Sequence, residues 1–286
     1  MCAFSHAGAI DGSYFDVTEM IRAMRSAEFF LIGILCLCWV GCSKQPGLGS
    51  DPLKVGMELS YPPFEMTDEG NEPAGVSVDL AKELGDYLGR EVEIQNTPFD
   101  GLIPALRTGK IDCIISSMTR TPERAKVVSF SNPYLTTGLC LLIPKDSGIE
   151  AVEDLNEEGR KVAVKKGTTG HLYAEKELPS AKLFLFDKET TAVIEVTQGK
   201  VDAFIYDQMS TYRNWKRHED TTKPLLSPFQ SEQWAVAVRK GDDDLINQIN
   251  LFLLNFEANR GFEKLGDRYF KEQKDAFKAM GIPFVF

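Results

Sequence analysis

The sequence predicts an α/β fold in two lobes, each a mostly parallel sheet flanked by helices, joined by a two-stranded hinge. Three observations point there. From Leu53 onward, short apolar runs alternate with segments of helical period. One local phrase occurs twice, as Gly109-Lys110-Ile111-Asp112 and Gly199-Lys200-Val201-Asp202, each joining a helix end to a buried strand, so the halves look like similar units. The segments after Trp234 also need a surface to pack on. If they return to the first unit, the chain crosses between lobes near Leu139 to Leu142 and again near Gln233 to Val236. The expected division is therefore 53–138 with 236–286 as lobe 1, and 139–235 as lobe 2.

The N-terminal segment, 1–41, is read as an address. Arg22 and Arg25 precede an apolar run from Phe29 to Val40 and then Gly41-Cys42, the layout of an export signal. A dozen apolar residues fall short of the roughly 20 that span a bilayer. Val40-Gly41-Cys42 resembles a bacterial lipobox, in which Cys42 is lipidated and becomes the first mature residue, although Trp39 departs from the usual leucine-like residue; an ordinary cleaved signal or a core helix is the alternative. Residues before Met20 fit no export pattern, so Met20 or Met24 is the expected start. The stretch 42–52 reads as a tether.

The elements follow in order. Leu53 to Met57 reads as a strand, Val76 to Leu88 as an amphipathic helix ended by Gly89, and Val92 to Gln95 as a strand. Asp100 is a candidate N-cap for a short helix with Pro104 in its first turn, and Gly109 ends it before a strand from Ile111 to Ser116. Thr121-Pro122-Glu123 opens another helix. After Pro144-Lys145-Asp146 come strands at Val162 to Val164, Leu183 to Leu185 and Val201 to Tyr206, alternating with helices at His171 to Glu177, Thr191 to Gln198 and Met209 to Arg217. Trp234 to Arg239 is a further strand and Leu245 to Phe256 a strongly apolar-faced helix.

Composition excludes several classes. The chain has 286 residues, 43% hydrophobic and 26% charged, which suits a folded domain rather than a disordered one. Its formal charge of -10 is spread without a basic run, so nucleic acid is not an expected partner. His6, His171 and His218 are scattered, no Cys/His cluster has ligand spacing, and no Gly-x-Ser-x-Gly elbow occurs, so neither a metal nor another cofactor is expected. Export would leave Cys42, Cys113 and Cys140, too few for a disulfide framework; Cys113 and Cys140 sit in apolar runs, with a single bridge between them left open.

Three stretches point to a small charged ligand. Ser117-Met118-Thr119-Arg120-Thr121-Pro122-Glu123-Arg124 passes from a strand into a helix start, where free backbone N–H groups favour an anion. Arg124 adds a planar fork suited to a carboxylate, with a surface ion pair as the alternative. Lys165-Lys166-Gly167-Thr168-Thr169 is a second strand end passing through glycine into a helix; it lacks phosphate-loop spacing, and Thr168 suits an N-cap as well as a ligand contact. Tyr206-Asp207 ends a strand where ligands of open α/β sheets sit, and Asp207 can hold an ammonium or cap the next helix.

Read together with Glu58-Leu59-Ser60-Tyr61-Pro62-Pro63-Phe64-Glu65, Gly75 to Asp79, Phe99 to Leu106, Phe130-Ser131 and Gly199 to Asp207, these stretches resemble, in order and across nearly the whole mature chain, the extracytoplasmic polar amino-acid-binding proteins of ABC importers. The resemblance implies a ligand held in the cleft between the lobes. Arg124 would bind its α-carboxylate with Thr119 and Thr169 assisting. Asp207 would bind its α-ammonium, with Ser117 as a further acceptor. Tyr61 and Phe99 match the aromatic pair that sandwiches the ligand side chain, and Met118, Lys165 and Thr168 fall in the same ligand-binding stretches. Glu58 matches a position that is usually aspartate in relatives taking glutamine, histidine or basic amino acids; an acid there argues against an anionic ligand and favours a basic or amide side chain. The resemblance further implies a monomer, delivery to a transporter permease, and a place outside the cytoplasm, at the membrane through a lipid anchor. The same fold resembles periplasmic dehydratases acting on prephenate-like acids and ligand-sensing receptor subunits, which are the rival functions.

Overall fold

The computed structural model describes residues 51–284. The export signal, the lipidation at Cys42 and nearly all of the tether lie outside the described residues.

The chain begins with β1 (Leu53–Met57), then a three-stranded antiparallel ribbon of β2 (Ser60–Tyr61), β3 (Glu65–Thr67) and β4 (Pro73–Ala74) that the sequence reading does not anticipate. Helix α1 (Val76–Leu88) has the expected bounds. Its apolar stripe packs Val78, Leu80, Ala81 and Leu84 into the core, and Gly89 at φ 65 supplies the left-handed C-cap. There follow β5 (Val92–Asn96), α2 (Phe99–Arg107) and β6 (Cys113–Ile114), the last much shorter than predicted. Asp100 does not cap α2: Pro98 holds the N-cap position and Asp100 lies inside the first turn. Thr121 caps the single turn α3 (Pro122–Ala125), accepting from the Arg124 amide at 3.2 Å, with Pro122 at the tolerant first position.

The long strand β7 (Val128–Pro144) leads through a 3₁₀ turn (Val152–Leu155) to a second α/β unit. This comprises β8 (Lys161–Lys165), α4 (Thr169–Glu177), β9 (Lys182–Phe186), α5 (Glu189–Thr197), β10 (Ala203–Asp207) and α6 (Gln208–Arg217). The similarly long β11 (Thr222–Arg239) returns to the first unit, which α7 (Asp243–Ala258), α8 (Gly261–Tyr269) and α9 (Lys271–Ala279) complete.

The eight long-sheet strands run in the order β5-β1-β6-β11-β7-β10-β8-β9. β1 is parallel to both β5 and β6, and β8 is parallel to both β9 and β10, so two parallel half-sheets flank the antiparallel β7–β11 pair. β10 joins β7 at Leu139 to Leu142, whereas β6 joins β11 at Ala237 and Val238. One hinge ribbon therefore carries a half-sheet at each end.

The repeated phrase has the same physics in both halves. Gly109 and Gly199 adopt φ 76 and 64, and Lys110 and Lys200 amides return to the preceding helix at 3.0 and 2.9 Å. Asp112 and Asp202 then each exchange two bonds with the first strand of their unit. Their carboxylates accept from the Lys54 and Lys161 amides at 3.1 and 2.7 Å, and their own amides donate to the Lys54 and Lys161 carbonyls at 2.7 and 2.8 Å. Cys113 and Cys140 are both buried free thiols, so the bridge left open by the sequence is not formed. No helix among the described residues is long and apolar enough to cross a membrane.

Candidate functional site

The parallel strands of both half-sheets end toward one cavity, where open α/β sheets place their ligands. Its wall brings together Glu58, Tyr61, Phe99, Ser117, Thr119, Arg124, Thr168, Thr169 and Asp207. Two candidates do not reach it. Met118 is 1% exposed and packs with Leu102, Leu106 and Ile114 in the apolar layer beneath α2. Lys165 lines a neighbouring cleft with Phe99 and Asp100 instead, ion-paired to Glu58. Glu58 is therefore not the free acid that the sequence suggests.

Arg124 anchors one end. It is buried, and burial pushes its guanidinium down to about 10, still charged at neutral pH. One N–H donates to the Thr119 carbonyl at 2.7 Å and another to the Gly167 carbonyl at 3.0 Å, so it touches both half-sheets. Of the five donors of a guanidinium, others remain for a ligand. Gly167 can present that carbonyl because its φ of 77 suits glycine, and an added Cβ would stand 3.1 Å from that of Asp100.

Beside Arg124 stands a residue that the sequence reading misses. Glu232 on β11 is buried, and its Oε2 accepts from the hydroxyls of Thr119, on one half, and Thr169, on the other at 2.9 Å. The hydroxyls expected to face a ligand carboxylate thus hold an internal one. It stands between the exposed Ser231 and Gln233 on β11, which puts its side chain on the inward face.

At the other end stands Asp207. It caps α6, accepting from the Ser210 amide at 3.0 Å, and it lines the cavity. Burial raises its carboxyl to about 6. Arg213 approaches from α6, its guanidinium 5.5 Å from the Tyr61 ring centre and held at 2.6 Å by Glu189. Thr168 likewise caps α4, accepting from the His171 amide at 3.4 Å, while remaining on the wall.

Glu65 is the second missed residue. Three hydroxyls converge on it, from Ser77 at 2.6 Å, Ser116 at 3.2 Å and Ser117 at 3.1 Å, yet burial dominates and lifts its carboxyl to about 8. Ser117 therefore serves Glu65, and it does so from a left-handed backbone, φ 49, that is uncommon for serine. Tyr61, Tyr206 and Trp234 form the aromatic part of the wall, with Tyr61 5.8 Å from Tyr206 and 6.1 Å from Trp234 between ring centres.

A hinged pair of half-sheets around a buried, charged and aromatic-lined cavity defines a two-lobed binding protein. The chain belongs to the bacterial extracellular solute-binding proteins, family 3, whose pattern it matches over residues 53–272. It is 28% identical over 220 residues to the L-cystine-binding protein TcyJ of Escherichia coli K12, covering 76% of this chain and 82% of that protein. It is 31% identical over 252 residues to the L-arginine-binding protein of Pseudomonas aeruginosa, covering 84% and 95%. Among solved structures it resembles the ancestral amino acid-binding protein AncCDT-1, a precursor of cyclohexadienyl dehydratase, with 38% identity and a TM-score of 0.71 over 77% of this chain and 95% of that one.

Proposed function

We propose that the chain captures a polar amino acid, with a basic or amide side chain, outside the cytoplasm and delivers it to the permease of an ABC transporter. The observation that carries this is the placement of Arg124 and Asp207, an invariably cationic group and a buried acid, on the wall of one cavity. Arg124 with Thr119 and Thr169 takes the α-carboxylate, which exchanges with Glu232 for the two hydroxyls. Asp207 takes the α-ammonium, and Tyr61 and Phe99 flank the side chain. The names of the relatives, which bind L-cystine and L-arginine, support an amino-acid ligand.

Closure follows from the hinge. The lobes, 53–138 with 236–286 and 139–235, bend about β7 and β11 until both touch the ligand, and the permease reads the closed shape. The chain acts as a monomer, and export followed by lipidation of Cys42 keeps it at the membrane.

Arg124→Ala is expected to weaken amino-acid binding by about 2 to 5 kcal/mol while the far-ultraviolet spectrum stays native, since it removes a buried charge-assisted contact. Calorimetric titration with a panel of the common amino acids checks it, and unchanged affinity removes Arg124 from the site. Consumption of prephenate without amino-acid binding would replace this reading with the dehydratase.

A further inference from the structure

Glu189 opens α5 in the second half and is 5% exposed. Its Oε1 accepts from three side chains of α6, Ser210 at 2.5 Å, Arg213 at 2.6 Å and Asn214 at 2.6 Å, while Oε2 finds no hydrogen-bond partner among the described residues. Held in this way, the Arg213 guanidinium stays off the cavity wall. It stands 5.5 Å from the ring centre of Tyr61, which belongs to the first half and does line the cavity. Phe64 lies parallel to that ring at 5.3 Å, so Tyr61 is gripped by a ring of its own half and a cation of the other. Asp207, the N-cap of the same α6, completes the corner.

We infer that Arg213, fixed by Glu189, is a positioning residue for the ammonium end of the cavity: it seats Tyr61 across the cleft and, with Glu189, sets the local charge in which Asp207 meets its ligand. The inference rests on reading the cavity as an amino-acid site and says how that end is built. Arginine suits the task better than lysine, because a planar guanidinium can lie against a ring while its edge bonds a carboxylate. The groups that face the Asp207 carboxyl are Tyr61 from β2, Ser210 on α6, Tyr206 on β10, Cys140 from β7 and the charged pair itself. Burial raises that carboxyl most, and the pair then acts on it with opposite signs, Glu189 raising it and Arg213 lowering it.

The purified protein is titrated calorimetrically with the twenty common amino acids at pH 7, and then with the tightest of them from pH 5 to 8. Arg213→Met is expected to weaken binding about tenfold at pH 7 and to move the acid-side loss of affinity to higher pH, because Glu189 then acts on Asp207 unopposed. Glu189→Gln retains Oε1 as an acceptor and should move that loss to lower pH. Arg213→Lys should leave the loss where the wild type has it. Tyr61→Leu combined with Arg213→Met should cost less than the sum of the two single losses. A pair with a merely structural role would lower affinity in both variants with the pH profile unmoved, and that result overturns the inference. So does wild-type affinity in a folded Arg213→Met. If Arg213→Met fails to fold, Glu189→Gln decides alone, and a profile that stays in place or moves to higher pH overturns the inference. If none of the twenty amino acids binds the wild type, the amino-acid reading itself falls, and this inference with it.

Discussion

At the scale of the residue, the site is a set of buried charges whose protonation follows from their surroundings. Asp207 gains nothing from water and is raised to about 6, above its ordinary range near 4. The sign of the linkage follows: in the free protein its contribution to stability is full below the unfolded value and is lost as pH rises through about 6, because burial penalises the charge more than the Ser210 amide and Arg213 compensate it. A ligand ammonium supplies the compensation. Amino-acid affinity is therefore expected to fall as pH drops from 7 to 5, and Asp207→Asn to bind weakly at pH 7 and lose most of that pH dependence, as titrations across the range would show. A wild-type-like profile in Asp207→Asn would leave the residue as a helix cap only. Residues of this kind are half legible in the sequence. Arg124 and Asp207 stand at strand ends and helix starts, where local patterning marks them. Glu65 and Glu232 do not, because their partners Ser77, Ser116, Thr119 and Thr169 reach them only through tertiary contact.

At the scale of the element, helices were easier to read than the hinge. Val76 to Leu88 carries both an unbroken apolar stripe and a glycine stop, so its bounds follow from local physics. β7 contains Pro133 and Gly138, which punctuate a sequence reading and split it, yet the ribbon accommodates both. Pro133 lies beside a register shift opposite Ala235, and Gly138 lets Pro228 approach to 2.5 Å of where a Cβ would be. The hinge strands also carry a tie between the halves, Glu232, whose carboxylate joins Thr119 to Thr169. Glu232→Ala would leave two buried hydroxyls without that acceptor. It is expected to lower the free energy of unfolding by about 1 to 3 kcal/mol, measured by denaturant titration, and wild-type stability would mean that the hydroxyls find other partners.

At the scale of the whole molecule, polar contacts join the halves, Arg124 to the Gly167 carbonyl, Lys165 to Glu58, Lys166 to Asp100, and the threonines to Glu232, beside the ring contacts of Tyr61 with Tyr206 and of Tyr212 with Phe277. One apolar core lies wholly within the second half, whereas the core of the first also takes in Met209, Tyr212 and Leu226 from the second. The core of the first groups Leu53, Val55, Leu80 and Phe270 with these residues, that of the second Val162, Val164, Ala203 and Leu155, so rotation about the hinge leaves the second intact. Separating the halves at the cavity exchanges these polar contacts for water, which costs little compared with unfolding a half. A ligand that touches Arg124 and Asp207 together binds only when the halves are near, and it shifts the population by its preference for that state. Small-angle scattering should then show a more extended molecule without amino acid than the conformation described here, and a smaller radius of gyration at saturation. A profile that stays the same while calorimetry records binding would mean that the hinge is rigid and the ligand enters a preformed cleft.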